Sequence, residues 1–177
     1  MRINGLAAIA VVAAVLGTAG SATGSSRTQA GDCLSGPDFN GDRCGDLVVA
    51  DPDATVAGKA RAGRINVLYG GEAGAREVLT QGAGAGGTVE AGDRFGTIVR
   101  AVHVDTDGYA DLVIATPAED VGSEADAGII QLVYGSADGL GHGRPGVSLR
   151  QGAYGIPGIP EAGDRFGAAL AVNTTTG

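Results

Sequence analysis

Apolar residues in this chain come in short runs broken by glycine, proline and acidic residues. No stretch holds the helical period together with caps, so each run reads as a strand between turns. Phe95 to Val104 alternates loosely and is predicted as one strand. Leu112 to Thr116 is the next, stopped by Pro117, which has no N–H to give to a ladder. A polar loop from Glu119 to Asp126 leads to a third strand at Gly128–Tyr134, and Val147–Gln151 makes a fourth.

The same order of elements occurs more than once. Asp38–Ala50 (DFNGDRCGDLVVA) matches His103–Ala115 (HVDTDGYADLVIA), and Val67-Leu68-Tyr69-Gly70 matches Leu132-Val133-Tyr134-Gly135. Both pairs lie 65 residues apart. A third signature, Glu90-Ala91-Gly92-Asp93-Arg94-Phe95-Gly96, returns unchanged 71 residues later as Glu161–Gly167. The six extra residues fall in a Gly/Pro-rich stretch suited to a loop insertion. Four antiparallel strands per repeat of this length is the pattern of a β-propeller blade. The predicted class is all-β, a partial β-propeller of about two four-stranded antiparallel blades, open or truncated.

The ends change this picture. Arg2 and the apolar run Leu6–Leu16, followed by small residues up to Ala22, read as a secretory signal peptide over 1–22. The run is short against the ~20 residues a spanning helix needs, so no membrane span is expected in the mature form. Residues 23–31 read as a flexible polar leader. About 147 residues then remain for one modest domain. The 33 glycines follow no three-residue period and act as turn punctuation, and the net charge of −8 argues against a nucleic-acid partner.

Candidate chemistry sits in the acidic loops. Asp38, Asn40, Asp42 and Asp46 occupy the first, third, fifth and ninth positions of one, with the backbone carbonyl near Cys44 as a further oxygen. The second offers Asp105, Asp107 and Asp111 with the carbonyl at Tyr109. Hard oxygen donors brought together by a glycine turn suit Ca²⁺, which takes six to eight oxygens at about 2.3–2.6 Å. An EF-hand would need an acidic twelfth position and helical flanks, whereas Val49 and Ile114 stand there inside apolar runs. An acidic turn with no metal is the competing reading of both loops. Cys33 and Cys44 read as a disulfide in an oxidising compartment, tying the N-terminal end to the first loop. Gly82–Gly87 fits a dinucleotide fingerprint literally, yet no helix follows it, so a loop is the better reading. Neither a nucleophile elbow nor a zinc-protease motif is present in the sequence.

The Phe-Gly pairs Phe95-Gly96 and Phe166-Gly167, the D-x-N-G-D-x-x-x-D loop, and the strand ends Ala50-Asp51-Pro52 and Ala115-Thr116-Pro117 together resemble the FG-GAP repeat. That repeat builds the propeller of integrin α subunits and of many secreted bacterial proteins. The resemblance covers nearly everything from Asp38 to Val172 and divides the chain into three pieces. These are a first blade over 32–89 lacking its first strand, a second over 90–160, and the first strand of a third within 161–177. It implies structural Ca²⁺, an extracellular protein or glycan ligand, and a non-catalytic binding or adhesion module. The alternative it also implies is the propeller part of a secreted, phospholipase D-like hydrolase whose catalytic domain lies elsewhere, or a truncated fragment. His103 stands where the family has its first Asp, and imidazole is a poor Ca²⁺ ligand, so weaker binding is expected at the second loop. Two blades cannot close a ring, so self-association through open strand edges is a further expectation.

Overall fold

The computed structural model describes residues 10–11, 33–71 and 75–172. The expected leader (23–31), and the signal peptide apart from residues 10–11, lie outside the described residues. Every regular element among the described residues is a strand: β1 (Ala10–Val11), β2 (Leu47–Asp51), β3 (Arg64–Leu68), β4 (Arg76–Leu79), β5 (Ile98–Val102), β6 (Asp111–Thr116), β7 (Ile129–Val133) and β8 (Val147–Leu149). They form two antiparallel sheets ordered β1-β2-β3-β4 and β5-β6-β7-β8, neither closed into a barrel. The all-β class and the two open, blade-like sheets agree with the sequence reading.

The repeat extends to the register. Leu47 faces Leu68 and Asp51 faces Arg64 across β2 and β3. Their counterparts, Leu112 opposite Val133 and Thr116 opposite Ile129, hold the same places across β6 and β7. A slip of one residue would turn each strand inside out, so equal register means equal buried faces. Burial alternates along β2, β3 and β7, while β6 is buried on both faces over most of its length. Val48, Ile65 and Leu79 from the first sheet join Val99, Leu112, Ile114 and Val133 from the second in one continuous core that also includes Phe39 and Phe95. Packing sheet against sheet removes both apolar faces from water, which is the main stabilising term.

Residues 32–89 supply three strands to the first sheet, as expected, and Ala10 and Val11 pair with Ala50 and Val49 at its edge. This is the ladder position that Ile98 and Val99 hold opposite Ala115 and Ile114 in the second sheet. The strand expected within 161–177 does not form among the described residues, where 161–172 carry turns, bends and irregular chain. A strand needs a ladder partner, and Gly167–Val172 have none there. Residues 173–177 of that segment lie outside the described residues.

The unchanged Glu-Ala-Gly-Asp-Arg-Phe-Gly signature has a structural cause. Gly92, Arg94 and Phe95 donate their N–H groups to the carbonyls of Ala60, Arg61 and Ala62, in the loop between β2 and β3. Gly163, Arg165 and Phe166 do the same to Ala125, Asp126 and Ala127, between β6 and β7. Each copy thus stitches the start of one repeat to the loop of the repeat before it. Gly63 and Gly128 stand at the stitch with φ of 86° and 84°. A Cβ on either would run into the backbone of Phe95 or Phe166, so only glycine fits. Asp93 and Asp164 close the turn by accepting the N–H of Glu90 (2.8 Å) and Glu161 (2.9 Å).

Candidate functional site

In the first acidic loop the side chains fold back on the loop's own amides. Asp38 accepts from Gly41 N (2.6 Å) and Arg43 N (2.8 Å). Asn40 Oδ1 accepts from Asp42 N (3.1 Å), and Asp42 Oδ1 from Cys44 N (2.8 Å). Such local bonds are how Asp and Asn hold a turn. Gly41 (φ 77°) and Arg43 (φ 70°) take left-handed conformations that bend the chain. The Cys33–Cys44 disulfide is formed and fastens the N-terminal end to this loop, as expected from sequence.

The ninth-position aspartates have a partner set of their own. Asp46 accepts from Phe39 N (2.7 Å) and Gly70 N (2.8 Å), drawing the loop, β2 and the end of β3 together. Asp111 repeats this with Val104 N (2.9 Å) and Gly135 N (3.0 Å). Both side chains are buried, Asp111 completely. Burial pushes the Asp46 carboxyl up from its ordinary value, against the pull of its two N–H donors, and the negative Asp38 and Asp42 add to the rise.

The second loop is closed differently. Asp105 Oδ1 accepts from Asp107 N (3.1 Å) and Asp107 Oδ1 from Tyr109 N (3.0 Å), as in the first loop. His103 Nδ1, however, bonds the Tyr109 carbonyl at 2.8 Å. That carbonyl is the backbone oxygen a cation would need. Arg144 pairs with Asp105 through its guanidinium, which also lies over the Tyr134 ring, 3.4 Å from its centroid. The Asp107 N–H and, after it, the Arg144 charge hold the Asp105 carboxyl below its ordinary value. Donor chemistry in the first loop suits a hard cation, since each carboxylate oxygen keeps a second lone pair. In the second loop a ring nitrogen and a guanidinium already engage two of the corresponding oxygens, the Tyr109 carbonyl and one oxygen of Asp105. Among the described residues no three His, Cys, Asp or Glu side chains converge as metal ligands.

The two loops are joined across the sheets. Asp38 and Phe39 accept through their carbonyls from Ala110 N (2.8 Å) and Ser136 N (3.1 Å). The Tyr109 ring lies against Gly41, where a Cβ would come within 2.5 Å of it. Beside them a cleft of about 510 Å³ is bordered by Asp42, Tyr69, Glu77, Asp138 and His142. Tyr69 Oη donates to Glu77 (2.5 Å) and accepts from Leu140 N (2.9 Å), while His142 Nε2 meets the other Glu77 oxygen at 2.8 Å. Burial and the negative Glu77 push the Tyr69 hydroxyl up, so it stays a donor. This chain of bonds spans both sheets and was not foreseen from sequence. Its members are 8 and 65 residues apart, with no local signal to unite them.

No family model matches the chain. Among curated proteins it is similar to part of the phosphatidylinositol-glycan-specific phospholipase D. The Bos taurus protein is 31% identical over 128 residues, which is 69% of this chain and 15% of that protein. The Homo sapiens protein is 30% identical over 125 residues (67% and 15%) and that of Rattus norvegicus 28% over 120 (66% and 14%). The chain thus spans about 15% of the length of these relatives.

Proposed function

We propose that this chain is a secreted, non-catalytic propeller-type binding module of the FG-GAP kind, its first acidic loop stabilised by Ca²⁺. The observation that carries this reading is the double recurrence of one device. The buried aspartate clamp and the Phe-Gly stitch appear in both sheets in the same register. Such a unit is made to be repeated, and repeats of this size present loops for recognition. The disulfide favours an extracellular location. The partial similarity to phosphatidylinositol-glycan-specific phospholipase D favours a glycan-bearing partner, and a module that accompanies such chemistry rather than performing it. Fold alone does not set the ligand, so the partner has to be tested directly.

Calcium would gather Asp38, Asn40 and Asp42 with the carbonyl of Cys44 and offset the repulsion among the carboxylates. At a concentration about 100 times Kd it would add about 2.7 kcal/mol to stability. Thermal unfolding in Ca²⁺ against chelator should therefore show a rise of several degrees, removed by Asp42→Ala; equal midpoints for the wild type would refute the calcium reading. For the partner, the chain should co-sediment with phosphatidylcholine vesicles doped with a phosphatidylinositol glycan and leave the lipid uncleaved. Equal sedimentation with undoped vesicles would defeat the glycan assignment, and cleavage would defeat the non-catalytic one.

A further inference from the structure

The two acidic loops share oxygen-bearing side chains at the third, fifth and ninth positions, yet the second is met by a cation from elsewhere in the chain. We infer that Arg144 takes the place of a metal ion in the second loop, and that His103 blocks the remaining oxygen, so this half of the molecule is closed without Ca²⁺. The inference rests on the calcium reading of the first loop only for its contrast between the two. Its physical basis is local. A cation in the loop must neutralise Asp105 and draw on the Tyr109 carbonyl, and both are engaged. Asp105 holds the guanidinium. The Tyr109 carbonyl holds His103 Nδ1 at 2.8 Å. The guanidinium is fixed from its other side by the Tyr134 ring at 3.4 Å, so it is a placed charge and not a wandering one. Tyr134 directly follows β7 and Arg144 lies in the loop that leads to β8, so the same contact anchors that long connection to the acidic turn.

The first loop has no counterpart to this arrangement. Its first position is Asp38, whose two oxygens accept backbone N–H groups, and none of the ion pairs among the described residues involves Asp38, Asn40 or Asp42. The consequence is a division of labour: calcium governs the N-terminal loop, and the C-terminal loop keeps its shape in its absence.

The test uses the full chain, with CaCl₂ as the only ligand in calorimetry and melting in EDTA as a second readout. Wild type should bind one ion and Asp42→Ala none, while the pair His103→Asp with Arg144→Ala should raise the count to two. In EDTA, Arg144→Gln should lower the melting midpoint by roughly 2–5 °C. Two ions on the wild type, with one remaining in Asp42→Ala, would overturn the inference. So would a double variant that still binds one ion, or an Arg144→Gln midpoint equal to wild type in EDTA. If no variant binds calcium, the reading of the first loop fails; the EDTA melt then decides the role of Arg144 alone, a lower midpoint supporting it and an unchanged one refuting it.

Discussion

Replacing Asp111 by alanine should cost roughly 3–4 kcal/mol of folding stability, enough to lower the melting midpoint by about 10 °C or more. The side chain is fully buried and holds two backbone donors, Val104 N at 2.9 Å and Gly135 N at 3.0 Å. Hydrogen bonds to a charged acceptor contribute about 1.5–3 kcal/mol each. Val104 is exposed and can turn to water, whereas Gly135 is buried and its N–H would be left without a partner. Asparagine should rescue little, because its amide offers one acceptor and one donor where two acceptors are needed. The exposed Asp107 is the control: it holds only Tyr109 N at 3.0 Å, and its alanine variant should stay within about 1 kcal/mol of wild type. Urea titration of the three variants measures the difference. An Asp111→Ala midpoint matching that of Asp107→Ala would show that the clamp carries no special weight.

Much of this architecture could be read before any coordinates, because strand and turn signals are local. The 65-residue spacing anticipated the two sheets, and the strand read at Leu112–Thr116 was placed within a residue of its observed limits. Ends were less legible. The strand predicted at Phe95–Val104 begins only at Ile98, since the left-handed Arg94 (φ 57°) and Gly96 (φ 83°) belong to the stitch turn. The disulfide was legible as an isolated pair of cysteines. What escaped was every contact whose partner lies far along the chain. Asp105 and Arg144 are 39 residues apart, and nothing in either neighbourhood announces the other. The departure at His103 was visible as a poor ligand in a ligand position. That its ring would take the Tyr109 carbonyl required the fold. The ninth-position aspartates read as ligands because their spacing fits a calcium loop, while their inward turn onto Gly70 and Gly135 depends on where β3 and β7 end.

Stability should fall as the pH rises from about 5 to 8, the reverse of what an acidic protein held by exposed ion pairs would show. The cause is a group of carboxyls at the seam between the sheets. Glu119 is pushed up to about 7 by burial and then by the negative Asp93, Glu90 and Asp120, with the Gln81 side-chain amide pulling the other way. Asp93, almost wholly buried, is pushed up to about 6 by the same burial and by Glu90 and Asp120. In the unfolded chain these groups ionise near 4.5 and 3.8. Between those values and the folded ones, the native state holds protons that the unfolded state has released. Unfolding therefore becomes easier with each step up in pH, and the loss is complete once Glu119 ionises above about 7. The two groups act on each other, so their joint effect is on the order of 1–3 kcal/mol rather than the sum of two independent shifts. Glu119→Gln keeps a polar partner for Gln81 and removes the charge. It should flatten the profile above pH 6 and make the variant more stable than wild type at pH 8. Urea midpoints at pH 5, 6, 7 and 8 in chelator, which keeps bound metal out of the measurement, decide the matter. A wild-type midpoint that is level or climbs over that range would mean the seam carboxyls are solvated, and that the contact between Gln81 and Glu119 does not close the space between the sheets.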